Sequence, residues 1–188
     1  MKKVLILSLA LAASVAADPI RVAILTPSFN LYSDLEAALD SDPRIIDATR
    51  FGISSTLPPL YQLLIFDCVI ATGSFTVCDP VAYGDLLADY VDDGGGVLCV
   101  HEAMLGSYSH YESAPTGRWE AEGYCPYECT SSSLIVNSKD LLIDQPSHYI
   151  FDCVAGVDEV HLRVQTSLRS GAYELAHFAD AGGVAVNE

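Results

Sequence analysis

The stretch DPVAYGDLLADYVDDGGGVLCVH, Asp79 to His101, decides how the chain is read. Asp79 can accept from the free N–H groups of a first helical turn, Pro80 is preset for the first helical position, and Gly94 to Gly96 can supply a left-handed stop. Between them Tyr83, Leu87, Tyr90 and Val91 recur at three- and four-residue intervals, while Asp85, Asp89, Asp92 and Asp93 fill much of the rest. The spacing predicts a helix with one packed face and one solvated face. Val97 to Val100 then gives four apolar residues in a row, which suits a central parallel strand covered on both sides. His101 is the first polar residue at that strand's carboxyl end, where open α/β sheets bind ligands.

Upstream, Arg21 to Leu25 reads as a first strand with Thr26 to Asn30 as its exit loop. Ser33 and Glu36 fit a capping box, with Leu35 and Leu39 on the buried face of a short helix that Pro43 ends. Ile45 to Phe51 reads as a second strand, Thr56 to Gln62 as a connection, and Leu64 to Ala71 as a third strand before the loop TGSFTVC. Strand and helix alternate, the pattern of a parallel sheet with helices on both faces. The fold expected is therefore α/β, a flavodoxin-like three-layer sandwich with a mostly parallel central sheet. Downstream, Glu102 to Thr130 is rich in Gly, Ser, Tyr and Glu and longer than an ordinary connection, so it reads as a binding loop over the strand end. Leu134 to Val136, a turn at Asp144 to His148, and alternating segments around Val160 to Gln165 and Tyr173 to Phe178 follow. The tail GGVAVNE starts a further strand and suggests either truncation or an abrupt end at the surface.

The start, MKKVLILSLALAASVAA, reads as a secretory signal spanning residues 1–17, with one domain from 18 to 188 that is secreted and extracellular. No later segment is apolar enough to span a membrane. The formal charge of −16 argues against nucleic acid and anionic membrane as partners. Six cysteines in an exported chain invite disulfides. Cys68 and Cys99 lie inside apolar strand runs and read as buried thiols, whereas Cys78, Cys125, Cys129 and Cys153 sit next to loops and are the bridge candidates. Their pairing stays open, and Cys125 with Cys129 also has zinc-ligand spacing. The balance of these readings expects no metal and no cofactor.

DPVAYGDLLADYVDDGGGVLCVHEA resembles the helix, glycine turn and strand of the class I glutamine amidotransferase-like superfamily, most closely its trehalose-utilisation, ThuA-like branch. FDCVIATGS, the GRW at Gly117 to Trp119 and DQPSHYIFDCV at Asp144 to Val154 are similar to secreted bacterial domains of that superfamily. The resemblance implies that a nucleophilic cysteine would stand at the strand-end elbow, the position His101 occupies here. Cys99 comes two residues too early and points into the sheet, so cysteine hydrolase chemistry is not expected.

His101 could instead be a general acid or base with Glu102 assisting, a metal ligand, or a core-closing residue that bonds a neighbouring loop. Asp67 and Asp152 read as turn acceptors before catalytic carboxylates. No Gly-x-Ser-x-Gly elbow is present, and the glycine triplet precedes a strand, so it lacks the helix start that cradles phosphate. Tyr108, Tyr111, Trp119, Tyr124 and Tyr127 lie among carboxylates in the long loop, a mixture suited to sugars or to a protein partner, or to pinning the loop down. Ser74, Phe75, His110 and Trp119 are the candidate ligand contacts. Two functions are expected: a non-catalytic secreted module that binds carbohydrate or an extracellular protein surface, or an enzyme acting on a sugar or glycoside through His101.

Overall fold

A computed structural model gives the fold and describes residues 19–73, 75–100, 103, 107–108, 111–112, 114–128, 134–148, 157–164 and 166–187. Its first half runs β1 (Ile20–Thr26), α1 (Ser33–Asp40), β2 (Ile45–Gly52), α2 (Leu60–Leu63), β3 (Cys68–Thr72), α3 (Pro80–Asp92) and β4 (Gly96–Val100). The four strands form one sheet in the order β2-β1-β3-β4, and every neighbouring pair is parallel. These are the first four positions of the flavodoxin-like order. Right-handed crossovers lead from β1 to β2 on one side and from β3 to β4 on the other, so α1 and α3 fall on opposite faces. Burial follows the pleat: Ala23, Leu25, Val69 and Ala71 share a core with Tyr83, Leu87 and Tyr90 of α3, while Val22, Ile24 and Ile70 are buried on the other face.

The helix ends are built as their residues dictate. The Asp79 carboxylate accepts from the backbone N–H of Val81 at 3.1 Å and of Ala82 at 3.0 Å. At the far end Gly94 N–H donates to the Val91 carbonyl and Gly95 N–H to the Tyr90 carbonyl, the paired bonds of a Schellman stop. The triplet divides its work. Gly94 takes φ +94°, Gly95 lies against the Tyr90 ring where a Cβ would collide, and Gly96 opens the strand. Tyr90 in turn donates its hydroxyl to the Phe66 carbonyl at 2.8 Å, pinning the helix to the start of β3.

Several expectations are corrected. Among the described strands β4 stands at the edge of its sheet and not in the centre. Val97 and Cys99 pack against the core, but Leu98 is 45% exposed, since α1 packs over β2 at the far side of the sheet. The third strand begins at Cys68 because the chain turns before it: Leu64 and Ile65 are exposed, and the Asp67 carboxylate accepts from Arg21 N–H at 2.7 Å. Asp67 thus binds the backbone of β1, 46 residues away, and is not a local turn or cap acceptor. The capping box at Ser33 does not form, since Glu36 is taken by Arg50 instead, and neither Leu35 nor Leu39 is fully buried.

The long loop carries a two-stranded ribbon, β5 (Ser107–Tyr108) with β6 (Tyr111–Glu112), and then α4 (Arg118–Ala121). Its 114–121 part is seated on α3. Thr116 N–H donates to the Pro80 carbonyl at 2.9 Å, and the Thr116 carbonyl presses on Gly84, where any Cβ would strike it. Gly117 takes φ +58° beside Val81 and Asp85, and the next N–H, from Arg118, reaches the Asp85 carboxylate at 2.8 Å. The Arg118 guanidinium then spans Asp89, Asp92 and Glu122, and Tyr124 donates to Asp92 at 2.6 Å. The acidic face is solvated as expected, and one arginine bridges Asp89 and Asp92 across it.

The remaining strands do not extend the parallel sheet. β7 (Leu134–Ile143), β8 (Val157–Val164), β9 (Tyr173–Phe178) and β10 (Ala181–Val186) form a separate antiparallel sheet in the order β10-β9-β7-β8. The connection from β9 to β10 has only two residues, which antiparallel neighbours alone permit. Tyr127 fastens this sheet to the first. Its ring is buried in the main core, its hydroxyl donates to Glu174 at 2.9 Å and accepts from Gly183 N–H at 3.0 Å, and Gly182 leaves room for the ring edge.

Two outcomes follow from this packing. Helix propensity alone would favour Gly84→Ala, yet the Thr116 carbonyl occupies the space, so urea denaturation should show a loss of about 2–3 kcal/mol. An unchanged or higher midpoint would refute the close approach. In the second sheet His177 Nδ1 lies 2.7 Å from the Asp144 carboxylate, and this hydrogen bond raises its pKa from the ordinary 6.5. A raised folded pKa means the contact stabilises fully below 6.5 and is lost as pH climbs through the higher folded value. Asp144→Asn should therefore lower Tm more at about pH 5.5 than at about pH 9, and an equal effect at both would contradict the pairing.

Candidate ligand rim at the strand ends

Strand order reverses between β1 and β3, so the loops leaving these two strands run to opposite sides of the switch point where open α/β sheets bind ligands. The strand ends are tied by buried threonines. Thr26 Oγ1 donates to the Ser28 carbonyl at 3.0 Å and accepts from Ser28 N–H at 3.1 Å, and Thr72 Oγ1 donates to the Leu25 carbonyl at 3.1 Å. Tyr32 donates its hydroxyl to the Gly73 carbonyl at 3.2 Å, joining the two loops. A third loop joins them, since Ile53 N–H donates to the Thr26 carbonyl and Cys78 N–H to the Ile53 carbonyl, each at 2.9 Å.

These loops carry large apolar side chains that remain open: Phe29 at 52%, Leu31 at 55% and Phe75 at 40% exposure. Phe29 is held despite being exposed. The Arg50 guanidinium carbon lies 4.3 Å from its ring centroid, Arg50 Nη1 donates to its carbonyl, and Arg50 Nε donates to Glu36 at 2.6 Å. Arg50 is itself mostly buried, so it braces the ring from the protein side. A ring fixed in this way loses little freedom when a flat apolar face stacks on it.

Of the residues singled out in the sequence, Phe75 belongs to this rim. Ser74, His101, Glu102 and His110 lie outside the described residues, as do Cys129 and Cys153. Trp119 is corrected: at 3% exposure its ring is core, stacked on Tyr124 with centroids 5.8 Å apart, and it offers no open face to a ligand. Cys78 is an exposed free thiol, not half of a bridge, and Cys125 is buried in the core. Packing against the core pushes the thiol of half-buried Cys99 well up, with the nearby Cys125 adding to it, so its thiolate is disfavoured. Phe29, Leu31, Arg50 and Glu36 were not anticipated. The one available signal was an aromatic residue between Pro27 and Asn30 at the carboxyl end of the first strand.

Among the described residues no group of three or more His, Cys, Asp or Glu side chains stands together as a metal site. No described helix is long and apolar enough to cross a membrane.

Fold and rim together define a flavodoxin-like α/β protein with an added antiparallel sheet. No family model matches the chain, and no curated protein matches it. Two solved structures share its fold. Cytoplasmic Protein STM1381 from Salmonella typhimurium LT2 superposes with a TM-score of 0.67 at 12% identity, and Cytoplasmic Protein STM3548 from Salmonella typhimurium with 0.65 at 9% identity. Each match covers 88% of this chain and 82% of the other.

Thiol burial gives a direct check. Brief alkylation of the folded protein, read by peptide mass spectrometry, should modify Cys78 first, half-buried Cys99 more slowly, and Cys125 only once denaturant is added. Modification of Cys99 as fast as Cys78 would contradict its raised thiol pKa and reopen thiolate chemistry.

Proposed function

We propose that the chain is a non-catalytic, exported binding module of amidotransferase-like ancestry whose strand-end rim takes a carbohydrate or a glycan-bearing surface. The observation that carries this reading is Phe29, an exposed ring fixed by Arg50 and Glu36 at the switch point, with Phe75 on the facing loop. Immobilised aromatic rings accept the C–H face of a sugar without first being ordered. The pKa of the half-buried Cys99 thiol is pushed well up, which supports binding over thiol hydrolysis. Export rests on residues 1–17, and kinship rests on the Asp79 to Ala103 stretch.

A glycan array probed with the wild type, Phe29→Ala and Phe75→Ala tests this. Wild type should bind, and each truncation should weaken binding by about tenfold, the equivalent of about 1.4 kcal/mol. Both rings are exposed, so the variants should keep the wild-type circular dichroism and Tm. Absence of binding to every glycan and surface extract, or binding that ignores both truncations, would remove the proposal.

A further inference from the structure

A separate cavity of about 410 Å³ lies where the two sheets meet, between the end of α4, the 126–128 segment, the 168–170 turn and Asn187. Asp92, in the last turn of α3, binds Tyr124 beside it. Because α3 runs back against the strands, this seam stands at the opposite end of the parallel sheet from the Phe29 rim.

The cavity walls are fixed in place. Asn187 Nδ2 donates to the Gly123 carbonyl at 3.0 Å and to the Tyr124 carbonyl at 2.9 Å. Arg169 N–H donates to the Pro126 carbonyl, Glu128 N–H to the Ser167 carbonyl, and Thr166 Oγ1 to the Glu128 carbonyl at 2.6 Å. The Arg169 side chain is held as well, by the Tyr127 carbonyl and the Glu120 carboxylate. What these bonds leave unused are the Glu128 carboxylate, the Ser170 hydroxyl and the Asn187 side-chain oxygen, all lining the space.

We infer that this seam is a second binding site, for a neutral polyhydroxylated molecule of one or two sugar rings. Its size falls within the ~300–1,000 Å³ of small-molecule sites. The chemistry narrows the class. An anion would meet Glu122 and Glu128 while the Arg169 guanidinium is already paired with Glu120, and a metal cation would find only Glu128 uncommitted, since Glu122 already pairs with Arg118. An apolar ligand would find few apolar neighbours beyond Leu168. Hydroxyl groups, which both donate and accept, satisfy a carboxylate, a hydroxyl and an amide together. Leu168, 40% exposed, can meet the C–H edge of a ring.

Ligand-observed saturation-transfer NMR with D-glucose, D-galactose, N-acetylglucosamine and maltose tests the site on the full chain. At least one sugar should give a signal that falls by at least about tenfold in Glu128→Ala and in the cavity-filling Ser170→Trp, and that Phe29→Ala leaves unchanged. Both substituted positions are exposed, and an unchanged Tm confirms their fold. No signal from any of the four sugars, or a signal lost in Phe29→Ala and kept in Ser170→Trp, would overturn the inference. The second of these outcomes would leave the rim proposal standing.

Discussion

The contact between Gly84 and the Thr116 carbonyl sets the rest of the molecule. Only a hydrogen at that α3 position lets the backbone of the long loop come close enough for Thr116 to bond Pro80 and for Gly117 to turn beside Asp85. That turn places Arg118 over the acidic face of α3 and sends Trp119 into the core. Trp119 stacks on Tyr124, the chain then passes Cys125 into the same core, and Tyr127 arrives where it can bond Glu174 and Gly183. The antiparallel sheet is thus positioned through a line of contacts beginning at one glycine. Each link is a close-packed or hydrogen-bonded step in a region that tolerates little adjustment.

The same chain of contacts separates structural aromatics from open ones. Tyr83, Tyr90, Trp119 and Tyr127 are buried and serve packing. Phe29 and Phe75 sit on loops that leave β1 and β3, beyond the point where α3 and the 114–121 segment can cover them. Holding an exposed ring still normally costs side-chain freedom. Arg50 offsets that cost with a bond to the Phe29 carbonyl and contact with its ring, and Glu36 keeps the guanidinium in place. Open loop rings and a folding core are therefore built from similar residues sorted by where the strands end.

Local signals were legible in the sequence and remote ones were not. The Asp79 cap, the Gly94 stop, the packed face of α3 and strand β9 could all be read from neighbours within a few positions. The edge placement of β4 could not, because VLCV reads the same whether or not another strand pairs beyond it; strand order is set by pairings between remote segments. The alternating segments at β8 and β9 were legible, but nothing local placed them in a separate antiparallel sheet, whose pairings join remote positions. The ring-rich loop misled for a different reason. Trp119 sits in a four-residue helix, too short to show a periodic face, so composition suggested exposure where packing decides burial. Both candidate sites escaped notice because they join remote positions: Glu36, Arg50 and Phe29 at the rim, and Glu128, Ser170 and Asn187 at the seam.

Charge links the two sites. The chain has nine lysines and arginines against twenty-five acidic residues, and Arg44, Arg50, Arg118 and Arg169 each rest on a carboxylate of the same molecule. Such pairs add little stability where they face solvent. Their larger effect is on selection, since each guanidinium bound internally is withdrawn from recognition of phosphate, sulfate or carboxylate. The field outside the molecule is then negative, and it repels anionic ligands at long range before any contact is made. A neutral ligand would escape that repulsion and rely on ring stacking and hydroxyl hydrogen bonds. If the proposed rim and seam take glycans, neutral ones would be favoured over acidic ones at both, by the absence of a penalty as much as by any attraction.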